Sequence, residues 1–104
     1  MTDKVLNLLG LAFKAGKIES GEDNVIAILR KSKAQIVFVG NDSSPKTIDN
    51  FSRKCYFYKV PCNIDYTTDQ LSTAIGKSRH IICLTDQGFY KALKKYLRGE
   101  NNES

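Results

Sequence analysis

Histidine occurs once in this chain, at His80, and cysteine three times, at Cys55, Cys62 and Cys83. The cysteine count is odd and no C-x-x-C pair exists, so neither a disulfide framework nor a zinc finger is indicated, and no metal site is expected. Cys55 and Cys83 sit among apolar neighbours and read as reduced core residues, with Cys62 less clearly so. No apolar run approaches ~18 residues, which excludes a helical membrane span. The order of a signal peptide is absent from Met1-Thr2-Asp3-Lys4, and a cytoplasmic location is expected. Internal repeats and low-complexity segments are also missing. No nucleophile–base pair is legible around His80, so no catalytic residue and no cofactor is expected.

What is present is an ordinary soluble composition with a basic bias. Hydrophobic residues make up 41% and charged residues 26% of 104 positions. Sixteen Lys and Arg against eleven Asp and Glu give a net charge of +5. That sign favours an anionic partner, nucleic acid first, although many small soluble proteins carry as much. Residues 1–98 read as one domain and 99–104 as a polar tail.

Hydrophobic spacing alternates between two periods. Val5, Leu8, Leu9 and Ala12 mark a helix over 4–15 that Gly16 ends. A short extended piece covers 17–20. A second helix starts at Gly21, with Ser20 as its cap and Asp23 completing a short-armed capping box. Residues 36–40 form an unbroken apolar run, as expected of a strand buried on both faces. A third helix over 45–57 starts at Pro45, and a short strand covers 60–64. A fourth helix spans 68–75 and closes on Gly76. A second buried strand covers 80–84, and Asp86 caps a last helix. This alternation predicts an α/β/α sandwich whose sheet has about four strands, two of them strongly buried.

Three segments offer polar groups at strand–helix junctions. Gly40-Asn41-Asp42-Ser43-Ser44-Pro45 is a weak phosphate-cradle candidate, lacking a Gly-rich loop and a P-loop lysine; helix capping explains it as well. Ser20-Gly21-Glu22-Asp23-Asn24 sets side chains and backbone amides at a helix start, with Lys17 before it and Lys31 beyond its far end. Gly76-Lys77-Ser78-Arg79 is a basic loop. The last two segments are expected to reach the same end of the sheet. There carboxamides and carboxylates can read base edges while Lys17, Lys31, Lys77 and Arg79 hold phosphates. Plain capping by Ser20 and Asp23, and a solvated basic loop, are the alternatives.

Leu9-Gly10-Leu11-Ala12, Ser20-Gly21-Glu22-Asp23, Lys54-Cys55 with Tyr58-Lys59-Val60-Pro61, Ile75-Gly76-Lys77 and Thr85-Asp86-Gln87-Gly88-Phe89 occur in this order over residues 5–97. As a set they resemble the bacterial YlxQ-type branch of the L-seven-Ae/L-thirty-e ribosomal protein superfamily. The resemblance implies an L-thirty-e-like three-layer α/β/α sandwich with a mixed four-stranded sheet, and non-catalytic binding of ribosomal or other structured RNA, typically kink-turns. It implies neither a membrane nor DNA as partner, and leaves the oligomeric state open. It carries the RNA contact to Gly21, Glu22, Asp23 and Asn24 at the second helix and to Gly76, Lys77, Ser78 and Arg79 in the closing loop. Ala27 stands where the wider family has a lysine, and an alanine reaches neither base nor phosphate. A protein-interaction module on the same fold, without kink-turn binding, is the alternative.

Overall fold

Two tetrapeptides of β-branched and other apolar residues, Ile36–Val39 and Ile81–Leu84, form the inner strands of the sheet, and every residue of both is buried. A computed structural model describes residues 3–97. The order is α1 (Lys4–Lys14), β1 (Ile18–Ser20), α2 (Glu22–Arg30), β2 (Ile36–Val39), α3 (Pro45–Tyr58), β3 (Cys62–Asn63), α4 (Thr68–Ile75), β4 (Ile81–Leu84) and α5 (Gln87–Lys94). The polar tail expected over 99–104 lies outside the described residues.

The sheet runs β1-β4-β2-β3. β4 is antiparallel to β1 and to β2, while β3 lies parallel to β2, so the sheet is mixed as expected. Side chains alternate across it. Ile36, Phe38, Ile82 and Leu84 join Val5, Leu9, Leu71 and Leu93 of α1, α4 and α5 in one core layer. Val37, Val39, Ile81 and Cys83 join Val25, Leu29, Phe51 and Cys55 of α2 and α3 in the other. Burying each such side chain contributes about 1.5–3 kcal/mol, which is why these residues fix the layer order.

Most helix starts follow the sequence reading. Asp3 accepts from the Leu6 amide (3.0 Å), Ser44 from Thr47 (3.1 Å) and Asp86 from Phe89 (2.8 Å). Thr67 and Gln70 form a reciprocal capping box on α4. The third strand is shorter than the expected 60–64. Pro61 has no N–H and enters the sheet through its carbonyl, which accepts from Val37 (3.0 Å). Beyond Asn63 the chain turns away, because the Asn63 side chain accepts from the Asp65 amide (2.9 Å). Gly40 and His80, expected in the inner strands, lie just past the ladder and bond through Gly40 N–H to the His80 carbonyl (2.8 Å).

Two close approaches set the spacing of the helices. A Cβ on Gly10 would stand 2.8 Å from the Ala74 carbonyl oxygen, so α1 and α4 pack through a glycine. A Cβ on Gly40 would collide with the Thr68 hydroxyl. That hydroxyl and the Thr68 amide donate to Asp42 at 2.7 and 2.9 Å, pinning the β2–α3 turn to α4. These bonds hold the Asp42 carboxyl below its ordinary 3.8.

The cysteines are free; Cys55 and Cys83 are buried and Cys62 is partly so. Burial pushes the Cys83 thiol up to about 12. The Cys55 thiol is also pushed up, by its hydrogen bond with Cys62 and by burial. Alkylation of the native protein, followed by mass spectrometry, is expected to label Cys62 first and to spare Cys55 and Cys83 until unfolding. Gly10→Ala is expected to lower stability by about 1–3 kcal/mol in urea melts, as overpacking does. Because the folded Asp42 pKa is depressed, its ionised form stabilises the fold above the ordinary carboxylate value and that contribution is lost as pH falls below it. Acid melts of Asp42→Asn are expected to show a shallower loss below about pH 4 than the wild type, and equal slopes would contradict this.

Candidate functional site

Since β4 is antiparallel to both neighbours, the C-terminal ends of β1 and β2 and the N-terminal end of β4 share one edge of the sheet. Three connections converge there: the β1–α2 turn, the β2–α3 turn and the α4–β4 loop. The Gly21 N–H donates to the Ile81 carbonyl (2.9 Å), which ties the first of these to β4.

Gly21 is the N-cap of α2, with φ +95° and ψ 150°. Side chains rarely adopt that conformation, so glycine is required for the sharp passage from strand to helix. The capping role expected of Ser20 and Asp23 is not observed, since no side chain caps α2. The Ser20 hydroxyl instead accepts from Arg79 Nε (3.2 Å), a partner 59 residues away. Consequently the amides of Glu22, Asp23 and Asn24 project from the helix end without an intrahelical acceptor. The Asn24 carboxamide donates from Nδ2 to the Ser20 carbonyl (3.0 Å), which orients the side chain and leaves Oδ1 facing outward from that bond. Glu22 Oε2 lies 3.1 Å from His80 Nε2, with both side chains about half exposed.

The α4–β4 loop is equally determined. Gly76 turns left-handed at φ +75°, and its N–H and that of Lys77 both donate to the Ser72 carbonyl (2.8 and 3.1 Å). The Ser72 hydroxyl accepts from the Arg79 amide (3.0 Å) and donates to the Arg79 carbonyl (2.9 Å). Arg79 also donates from Nη1 to the Ser78 carbonyl (2.8 Å). The guanidinium is thus held over the β1–α2 turn, with Lys77 and Ser78 exposed beside it. Ser72 was not singled out from the sequence. It sits on a helix seven residues before its partner, and no local pattern announces that bond.

The structure therefore brings Gly21, Glu22, Asp23 and Asn24 together with Gly76, Lys77, Ser78 and Arg79. It does not bring Lys17 or Lys31 to them. Lys17 precedes β1, where its carbonyl accepts from Thr85 (2.9 Å), and Lys31 is the C-cap of α2. A nine-residue helix is about 13 Å long, which puts Lys31 at the opposite end of the sheet. The Gly40–Pro45 turn is occupied by its own contacts, with Asp42 on Thr68 and Ser44 capping α3, as the capping alternative holds. Among the described residues no group of three or more His, Cys, Asp or Glu is placed to hold a metal.

The resulting shelf offers amide donors, carboxylate and carboxamide acceptors, and fixed cations on one edge. A family model described as ribosomal protein L7Ae/L30e/S12e/Gadd45 family matches residues 3–94. The RNA-binding protein YlxQ of Enterococcus faecium is 41% identical over 92% of this chain and 93% of its own length. A solved Bacillus halodurans protein of unknown function superposes with a TM-score of 0.86 at 30% identity, covering 91% of this chain and 97% of that one. The Giardia lamblia 15.5kD RNA binding protein shares the fold, with a TM-score of 0.73 at 13% identity over 93% of each chain. With a family match across nearly the whole described chain and a relative of such identity, this chain belongs to the ribosomal protein L7Ae/L30e/S12e/Gadd45 family.

Proposed function

We propose that this chain is a non-catalytic RNA-binding protein of the cytoplasm, associated with ribosomal or other structured RNA. Its binding edge is the β1–α2 turn together with the α4–β4 loop, and its preferred target is a sharply bent, kink-turn-like RNA. The observation that carries the reading is the Arg79–Ser20 bond, which sets a fixed cation beside a helix start whose amides carry no cap. The RNA-binding name of the Enterococcus relative supports the partner class.

The roles divide by chemistry. Ionised Asp23 and Glu22 are acceptors only, and the outward Oδ1 of Asn24 adds another. Acceptors suit the imino and amino hydrogens of guanine, such as those displayed by splayed or sheared bases, and they repel phosphate. Lys77 and Arg79 supply the opposite preference and position the backbone, with Ser78 between them. Gly21 and Gly76 contribute shape, as each allows close approach where a side chain would be strained. Lys17 and Lys31 stand outside this contact.

Titrations of a kink-turn RNA and of a straight duplex of equal length test the reading. Asn24→Ala is expected to cost about 1–3 kcal/mol on the bent RNA and to leave the salt slope unchanged. Lys77→Ala is expected to weaken binding to every RNA and to reduce the slope of log affinity on log salt by about 0.7–0.9. Ala27→Lys, which restores a cation one turn along α2, is expected to tighten the kink-turn complex. If Asn24→Ala and Lys77→Ala both bind like wild type while remaining folded, a protein-interaction role replaces RNA binding at this edge.

A further inference from the structure

α2 and α3 lie on the same face of the sheet and both begin at the edge just described. Their C-terminal ends therefore meet the opposite edge, where Lys31 is the C-cap of α2 and Lys59 that of α3. The local charge is of one sign. Residues 30–35 and 52–60 contain Arg30, Lys31, Lys33, Arg53, Lys54 and Lys59 and no Asp or Glu. Apart from Lys54 these cations are exposed. Arg53 reaches back to Asp49 (2.9 Å).

Among the cations stand two uncovered rings. Tyr56 is 87% and Phe57 75% exposed. Phe57 meets Tyr58 edge-on, with centroids 5.0 Å apart and planes at 88°, which props the ring away from the core. The core side of α3 is already supplied by Ile48, Phe51, Cys55 and Tyr58. Tyr56 and Phe57 thus contribute nothing to the interior, and the outer side of a helix end ordinarily carries polar side chains. A second copy of the chain is a poor occupant, because self-pairing of this patch sets like charges against each other. An acidic peptide answers the cations but gives the rings no planar partner. Unpaired nucleotides answer both, since bases stack on aromatic faces while lysines follow the phosphates.

The patch is also continuous with the first edge. A groove of about 430 Å³ lined by Glu22, Lys46, Thr47, Asp49, Asn50 and Arg53 runs from the α2 start along α3 to one turn before the rings. Lys46 to Phe57 is about 16 Å along the helix axis. We propose that the C-terminal ends of α2 and α3 form a second RNA contact that receives an unpaired strand. Its bases stack on Tyr56 and Phe57, and Arg30, Lys31, Lys33 and Lys59 neutralise its phosphates. The class of partner rests on the RNA reading above, but the two contacts share no residue.

Anisotropy titration of the full chain with a short labelled oligouridylate tests the second contact apart from the first. The double variant Tyr56→Ala/Phe57→Ala is expected to bind at least about 30-fold more weakly, the combined loss of two stacked bases at the lower end of their range. Lys31→Glu/Lys33→Glu is expected to weaken binding as well, whereas Tyr56→Phe retains it. Asn24→Ala is expected to bind the oligouridylate like wild type while binding the bent duplex about 5- to 150-fold more weakly. These residues are on the surface, so circular dichroism is expected to show an unchanged fold. Equal binding by wild type and the double variant overturns the proposal. Failure of wild type to bind the oligouridylate, with the bent duplex still bound, overturns it and leaves the first contact standing. Failure to bind either RNA overturns both. Loss of a dimer on sedimentation of the double variant, or binding of polyglutamate that depends on the same two rings, assigns the patch to a protein partner instead.

Discussion

The antiparallel placement of β4 between β1 and β2 is the constraint on which the molecule depends. β1 and β2 run the same way and are not neighbours; both pair with β4 between them, and β2 pairs with β3 on its other side. β4 arrives from α4, so the α4–β4 loop is delivered to the edge where β1 turns into α2. The bond from Gly21 to Ile81 and the bond from Arg79 to Ser20 are consequences of that arrangement. The pinning of Asp42 by Thr68 follows instead from the parallel pairing of β3 with β2, which brings the start of α4 beside the β2–α3 turn.

The layers were legible because burial leaves a strong imprint on composition. Ile36–Val39 and Ile81–Leu84 are apolar on both faces, and helices with one apolar stripe need two sides of a sheet to cover. The gathering of the β1–α2 turn and the α4–β4 loop at one edge was expected too, but alternation alone does not fix strand order; the gathering follows from β4 running antiparallel between β1 and β2. The α2 cap was not. Ser20 has the residue type of a cap, but its hydroxyl is claimed by an arginine far along the chain, and residue type records local preference alone. The placement of Lys17 and Lys31 failed on direction. Spacing identifies a strand and a helix without showing that their outer ends point to the far edge of the sheet. The brevity of β3 follows from Pro61 and Asn63, both visible as turn formers, whose effect depends on where β2 ends.

Charge in this chain is sorted by helix direction. α2 and α3 start at the same edge, and the cations at their far ends, Arg30 and Lys31 on α2 and the C-cap Lys59 on α3, suit the negative poles of the helix dipoles and are carried to the other edge together. Acceptors gather at the first edge, where Glu22 and Asp23 occupy the positive pole of α2. Favourable dipole arrangements thus produce two surfaces of different chemistry on one face, about one helix length apart.

The central position of β4 also governs the order of assembly. A chain emerging N-terminus first presents α1, β1 and β2, the two strands that pair with β4, and most of its helices before residues 81–84 appear. Until then β1 has no strand beside it, and Ser20 and Gly21 lack Arg79 and Ile81. Pairings of such long sequence separation are slow to form, because closing the loop costs entropy before the contacts repay it. A chain that ends before Arg79 therefore lacks both the Arg79–Ser20 and the Gly21–Ile81 bonds, so the geometry of the α2 edge is complete only once the last strand is present.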